Sequence, residues 1–512
     1  MADDDRHAVR GRHETRAAAP LRNVLAPVGA AALLVVAIVI GEIHAARLPE
    51  TPRVLGLAVV GCGVSLAVLG GWPRAAAGVV AIGLVAVGLA GGVELAAERR
   101  WPVAFGRAEV AATVVVEPSG HRFSAALVVR TERIDGVRVD RRLLVRAVGD
   151  EAGRMRQLRR GDHVVFWAWL RNGVADPWAQ RARAAAIAEV DLLRSFREPR
   201  APHLVAGAWL RDRVERGIAF LPAADRALLR GFLLGDTRAL ADTERDRFRA
   251  AGMSHLLAVS GANVAFVLAL AGPILRRVGY RARFAIGAFI VVAFAAATRF
   301  EPSVLRASSM VLVVMLARLA GRPVAAPRAL AIAIVALVGN DPALVHSVGF
   351  RLSVAATAGI IVGASAIADR VRGPRALRDA LGVTIAAQIA VAPLIIVTFG
   401  SIPLIGVVTN LLAAPAAEPL TIYGLLSTLI APALPAPLAG LVVAPCGVLL
   451  AWVRFVAGLG QRVPVELDTR GLVVAALAAG AVMLIRSAGT RSGRPRRTLA
   501  AAPPPNRHES AG

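Results

Sequence analysis

Apolar runs long enough to cross a hydrocarbon core recur along most of this chain, and no water-soluble fold could bury them all. Of its 512 residues, 56% are hydrophobic. Runs at 24–41, 54–70 and 75–97 are each of spanning length. The first follows a polar tail and precedes many more, so it reads as an anchor and not as a cleaved signal. The chain is therefore expected to be a polytopic α-helical membrane protein with one sizeable extramembranous insertion.

The formal net charge is +25, and every one of the 60 basic residues is arginine. Much of that charge sits where it would set orientation. Arg6, Arg10, Arg12, Arg16 and Arg22 precede the first run, and further arginines crowd 276–283, 318–328, 370–378 and the tail from Arg486 onward. By the positive-inside bias these segments and both termini are cytoplasmic. A field of this sign would also attract a polyanion such as DNA, although orientation alone explains most of the arginine.

With the N-terminus inside, three spans end outside near Glu98, and the composition then changes. Short β-branched runs at 109–116, 123–130, 142–148 and 162–171 alternate with polar or glycine-bearing turns. Five or so strands in that space suggest an extracytoplasmic small β-barrel of the OB type, with any other small β-domain left open. Phe166, Trp167, Trp169 and Trp178 could stack on a single strand, or they could serve as core and headgroup-level residues. Residues 204–250 read as amphipathic helix, with Leu228, Leu229, Phe232 and Leu233 as the apolar stripe. Such a helix lies on the outer membrane surface or packs against the membrane domain.

Spans are expected at 253–275, 284–300, 304–317, 329–338, 348–368 and 380–399. An interrupted stretch at 402–430 and two more at 438–458 and 471–485 bring the total to about 12. The parity returns the arginine-rich tail to the cytoplasm. The resulting organisation is a tail at 1–23, an N-terminal membrane region at 24–97, the barrel at 98–203, the helical segment at 204–250, the main membrane domain at 251–486 and a disordered tail at 487–512. Prolines at 273, 302, 342, 393, 403, 415 and 419 are expected to break helices, which is tolerated only where protein or an aqueous cavity satisfies the loosened backbone.

Polar groups at membrane depth are costly unless paired or water-facing. His255, Ser260 and Asn263 stand at the mouth of one span, and Arg306 follows Ser303 at the start of another. Asp341, Arg351 and Ser353 flank a third, Gln388 lies mid-span, and Asn410 and Glu418 flank Pro415. Each has a local structural reading: Arg306 can snorkel, and Asn410 can cap a broken helix. Together they suggest a polar path. No chemistry is demanded by their spacing. Ser260 and His255 are five apart, off a shared helical face. There is no Walker A motif, no paired-metal cluster and no CxxC, and the two cysteines, Cys62 and Cys446, lie in apolar sequence. No cofactor is expected.

The run FRAAGMSHLLAVSGANV at 248–264 is similar to the signature of the ComEC competence-protein family, inner-membrane channels for DNA taken up in natural transformation. PSVLRA at 302–307, NDPALVHSVGFRLSVAATAGI at 340–360, QIAVAP at 388–393 and TNLLAAPAAEP at 409–419 follow in the family's order. The resemblance implies a plasma-membrane protein passing single-stranded DNA to the cytoplasm, with an external DNA-receptor protein and cytosolic motor or strand-protecting proteins as partners. It places Phe248, Arg249, Gly252, His255, Ser260, Gly261 and Asn263 in the first core motif. Arg306, Asp341, Gly349, Phe350, Arg351, Ser353, Gln388, Pro393, Asn410, Pro415 and Glu418 fall in the later ones. Many members carry a C-terminal metallo-β-lactamase-like domain that this sequence lacks, so nuclease activity is not expected. Arg351 stands where the family often has glutamine. Fold likeness does not fix substrate, so a solute or lipid transporter and a non-transporting scaffold are the alternatives.

Overall fold

A computed structural model describes residues 101–468 apart from 120–122, 159, 174, 198–200 and 464–465, together with scattered helical positions between 85 and 96. The expected spans at 24–41, 54–70 and 471–485, most of 75–97 and both tails lie outside the described residues.

The β-rich insertion is a closed barrel. Its strands are β1 (Gly106–Ser119), β2 (Ser124–Ile134), β3 (Val137–Arg138), β4 (Arg142–Val148), β5 (His163–Asn172) and β6 (Ala186–Arg197). They run in the order β1-β5-β6-β4-β2, and β1 pairs with β2 to close the ring, while β3 extends β2 as a short hairpin. Every pairing is antiparallel except β4 with β6. Alternation builds the interior, because successive side chains of a strand face opposite sides. Ala108, Val110, Ala112 and Val114 of β1 meet Val164, Phe166, Ala168 and Leu170 of β5 inside, and Arg107, Glu109 and Thr113 are not part of that core. Helix α1 (Gly149–Met155) contributes Ala152 and Met155 to the same core. A second short helix, α2 (Pro177–Ala182), precedes β6.

Three helices follow: α3 (Pro202–Ile218), α4 (Ala223–Leu234) and α5 (Asp242–Ala250). The stripe Leu228, Leu229, Phe232 and Leu233 is buried, so α4 packs into the helical core and not onto a lipid surface. A 3-10 turn at Ser254–Leu256 leads into α6 (Gly261–Leu275), then α7 (Tyr280–Ala297), α8 (Pro302–Leu319) and α9 (Ala326–Asn340). Another 3-10 turn, Pro342–His346, precedes α10 (Val348–Ala368) and α11 (Arg375–Phe399). Strand β7 (Ser401–Pro403), α12 (Gly406–Ile430), α13 (Ala436–Gln461) and β8 (Glu466–Asp468) complete the described chain, with β7 paired to β8.

Among the described residues six helices are long and apolar enough to cross a membrane, where the full sequence leads one to expect about 12 spans. They are Ser254–Leu275, Tyr280–Ala297, Pro302–Leu319, Val348–Ala368, Arg375–Phe399 and Ala436–Gln461. Two helices at expected span positions are not among these six. Helix α9 has 15 residues, about 22 Å of rise against a hydrocarbon core of about 30 Å. Helix α12 is long enough, but Thr409, Asn410, Glu418, Thr421, Ser427 and Thr428 dilute its apolar character. Nor is it broken: Pro415 and Pro419 lie within one continuous helix, as Pro273, Pro393 and Pro445 do within α6, α11 and α13. A proline removes one intrahelical hydrogen bond. Next to the carbonyl freed by Pro415, the Trp452 indole N–H donates to the Leu412 carbonyl at 2.9 Å.

Close backbone approach holds the core, as small residues allow in packed membrane helices. A Cβ on Gly217 of α3 would stand 2.2 Å from the Thr428 carbonyl oxygen of α12. Gly252 adopts φ +70 and has the Gly406 Cα 2.8 Å from where its Cβ would be, so both conformation and space require glycine there. Thr409 of α12 donates to the Ala251 carbonyl at 2.7 Å in the same junction.

Gly217→Ala is expected to destabilise the solubilised protein by about 1–3 kcal/mol through overpacking. The control is Gly440→Ala in α13, where nothing lies within 4 Å of the new Cβ. Equal melting temperatures for the two variants would refute the close packing of α3 on α12.

Candidate functional site

Where the barrel meets the helical core, the chain forms an open cavity of about 1080 Å³. Arginines reach it from both sides: Arg142, Arg160 and Arg183 from the barrel segment, and Arg238 and Arg299 from the core. Two carboxylates, Glu301 and Asp341, also line it, so positive charge dominates. Guanidinium groups are suited to such a place because they present several donors and lose less hydration than ammonium groups. A concave surface of one sign focuses its field on anions.

Asp236, only 6% exposed, organises the junction. Its Oδ2 accepts from both Arg238 and Arg299 at 2.7 Å. Burial alone would raise its pKa, but hydrogen bonds and charge from Arg238 and Arg299 hold the carboxyl well below the usual carboxylate range. From this anchor Arg238 reaches the barrel, donating to the Pro118 carbonyl at 2.8 Å. Arg160 of the barrel segment donates to the Arg299 carbonyl at 2.8 Å and sits 4.8 Å above the Phe300 ring. A third link is the 3.7 Å approach of Arg142 to Asp341.

The backbone at this contact is strained. Arg299 and Phe300 both have positive φ, +59° and +54°, a region that side-chain-bearing residues seldom occupy. Strain of this kind persists where surroundings over-determine it, and here Asp236 fixes the side chain of Arg299 while Arg160 fixes its carbonyl. The next residue, Glu301, has its carboxyl pushed up by burial, despite the opposing charges of Arg299 and Arg160.

Below the cavity the structure joins several of the residues singled out by sequence. Ser260 precedes α6, and its hydroxyl donates to Asn263 Oδ1 at 2.8 Å. The Asn263 amide is 3.4 Å from the Phe232 carbonyl, tying α6 to α4. Arg306 donates through Nε to Ser353 Oγ at 2.8 Å, which joins α8 to α10. Its Nη2 occupies the space beside Gly261, 2.5 Å from where a Cβ would be. Gly252 lies against Gly406, and the Gln388 amide nitrogen is 3.6 Å from the Cβ position of Gly406.

Other candidates stand apart. Phe248 and Phe350 are core residues of two separate clusters. Arg249 is exposed and pairs with Asp246 at 3.3 Å, and Arg351 and Glu418 are exposed. His255 is exposed in the 3-10 turn, while Gly349, Pro393 and Pro415 face outward. Asn410 does not cap a broken helix, because it lies inside α12 with Oδ1 buried and unpartnered. Asp341 accepts from the Ala343 amide at 3.0 Å, capping the turn before α10. In the barrel Phe166 is core, Trp167 is half-buried with Arg107 over its ring at 5.6 Å, and Trp169 and Trp178 are exposed.

Sequence reasoning missed the junction arginines and a half-buried charge cluster. Arg454, in the apolar helix α13, bonds Asp225 and approaches Glu244 at 3.1 Å. A lone arginine in an apolar helix is itself a signal. By contrast, Asp236, Arg160 and Arg299 lie in segments with no periodicity that would bring them together. No group of three or more His, Cys, Asp or Glu among the described residues is placed to hold a metal ion.

The sequence profile of a family described as "Competence protein" matches residues 232–491, which contain every core motif residue above. No curated protein and no solved structure matches the chain.

The ion pairs give a signed pH expectation. Because the folded Asp236 carboxyl lies below its usual 3.8, its contribution is complete above that pH and is lost as pH falls through the lower folded value. Glu301 acts oppositely: its folded carboxyl lies above 4.5, so the folded state gains stability as pH falls towards that value. Asp236→Asn should lower stability near neutrality by up to about 3 kcal/mol, the low end for a buried pair, because Arg238 is 45% exposed and partly screened. Melting temperatures across pH check this, and the variant should lose the wild type's steep decline below pH 3.8. Parallel curves for the two proteins would remove Asp236 from the junction's energetics.

Proposed function

The chain belongs to the competence-protein family, and from that premise we propose that it is a multi-pass plasma-membrane channel carrying single-stranded DNA into the cytoplasm. On this reading the chain's work is binding and conduction. The observation that carries the reading is the arginine-lined cavity where the barrel sits on the helical core. A single strand offers one phosphate per nucleotide, and a row of guanidinium groups is the matching surface.

Orientation supports the same direction of travel. The turns between α6 and α7, between α8 and α9 and between α10 and α11 carry the arginine runs 276–283, 318–328 and 370–378. The alternate turns, at 298–301 and 341–347, are those that face the barrel. By the positive-inside bias the arginine-rich ends are cytoplasmic and the barrel is external, with both termini inside. The barrel's single parallel pairing, its closure by β1 with β2 and the helix between β4 and β5 fit an OB-like module, a fold that commonly holds single strands. The strand would pass from the cavity along the polar side chains of α6, α8, α10 and α12, with an external receptor delivering it and cytosolic motor or strand-protecting proteins receiving it.

Two measurements test the reading. In a transformable host, deletion should abolish entry of labelled DNA into the cytoplasm, and wild type should restore it. Unchanged entry after deletion would sink the proposal and favour a solute or lipid transporter. With purified protein, the double variant Arg142→Gln, Arg183→Gln should weaken oligothymidylate binding. It should also flatten the dependence of log K on log salt by about 1.4, from about 0.7 per lost phosphate contact.

A further inference from the structure

Arg306 is 8% exposed and lies within the second turn of a membrane-length helix. Its hydrogen-bond partners are both uncharged: Ser353 Oγ on Nε at 2.8 Å and Met310 Sδ on Nη1 at 3.3 Å. No carboxylate among the described residues pairs with it, although a buried cation is normally matched by an anion. Elsewhere in this core the rule is obeyed, since Arg454 has Asp225 and Glu244, and Arg299 has Asp236. Arg306 is the exception.

Its free edge points at a second feature that favours anions. Nη2 lies beside Gly261, the first residue of the 15-residue helix α6, in space that any larger side chain would fill. Helix N-termini present unsatisfied amides and a positive dipole end. Here no side chain caps them, because the Ser260 hydroxyl, the natural candidate, is turned to Asn263 Oδ1. An uncapped helix N-terminus and an unpaired guanidinium thus meet across a glycine. Ser353 sits at the same point and retains a hydroxyl proton to donate. Leu305, the neighbour of Arg306, lines the arginine-rich cavity, so this point lies directly beneath the cavity floor.

We propose that Arg306, Ser353 and the N-terminus of α6 form a phosphate-binding station one step below the cavity. Its assignment to the strand rests on the DNA-channel reading, under which the ligand is a phosphodiester. A singly charged phosphodiester matches a site with one guanidinium and a partial helix charge. Gly261 is glycine because the anion and the guanidinium need the space.

Purified full-length protein in neutral detergent provides the test, with inorganic phosphate and oligothymidylate as the two probes. Phosphate should raise the melting temperature of wild type, and the rise should vanish in Arg306→Gln and survive in Arg306→Lys. Should Arg306→Gln fail to fold, Gly261→Ala gives the same reading, because its Cβ displaces Nη2 while the charge remains. For oligothymidylate, Arg306→Gln should cost about tenfold in affinity and flatten the salt dependence by about 0.7, one phosphate contact. Equal phosphate shifts in wild type, Arg306→Gln and Gly261→Ala would overturn the station. An Arg306-dependent phosphate shift with unchanged oligothymidylate binding in Arg306→Gln would overturn its assignment to the strand. If wild type bound no oligothymidylate while the phosphate shift stayed Arg306-dependent, the DNA-channel reading would fail and the station would stand.

Discussion

The junction between barrel and helical core rests on one buried carboxylate. Asp236 holds Arg238 and Arg299 in place, and these two arginines carry the contact to Pro118 and to Arg160. Without that anchor, the five arginines lining one cavity would be less well neutralised and their mutual repulsion would weaken the junction. With it, the repulsion is partly neutralised from behind while the front of the cavity keeps its excess positive charge. The same carboxylate fixes the strained Arg299–Phe300 turn and so sets the entrance to α8. This ion cluster, with the Arg160–Phe300 and Arg142–Asp341 contacts beside it, ties the barrel to the core around the cavity.

Glycine and alanine play the corresponding part deeper in the core. Helices α3 and α12 touch backbone to backbone at Gly217 and Thr428, and the end of α5 meets α12 at Gly252 and Gly406. Such contacts leave little volume for side chains between those helices. Polar groups stand beside such close contacts, Arg306 with Ser353 against Gly261 and Gln388 beside Gly406. Close packing with polar side chains beside it keeps the bundle tight while leaving hydrogen-bonding groups in its interior.

Much of this was legible in the sequence because it rests on local pattern. Strand alternation located β1, β2, β4 and β5 to within a few residues, and apolar length located α6, α7, α8, α10, α11 and α13. Strand β6 was harder to read, since Glu189, Asp191 and Arg194 interrupt its apolar side and it is recruited by a parallel pairing to β4. The continuity of α12 was misread because proline is a reliable breaker in water and a weaker one among packed helices. Of the site, the motifs pointed to Arg306, Ser353, Gly261 and Asn263 as individuals. Their meeting point is a tertiary fact, as is the cluster of Asp236 with Arg299, 63 residues apart.

A path for a charged polymer must attract without trapping. Favourable entry requires binding, yet each station must release its phosphate to the next, which calls for several weak sites in series and not one strong site. The arrangement beneath the cavity has that character. The cavity offers many guanidinium groups at once, while the next point offers one, Arg306, softened by a hydroxyl and a thioether and not reinforced by a second arginine. The described core also holds neutral groups, the Gln388 amide and the unpartnered Asn410 carbonyl, and the exposed carboxylate of Glu418. If the proposed path is right, affinity for phosphate would decline from the outer face inward, and the inward pull would come from elsewhere. On the proposed channel reading, that force would be supplied by a separate cytosolic partner.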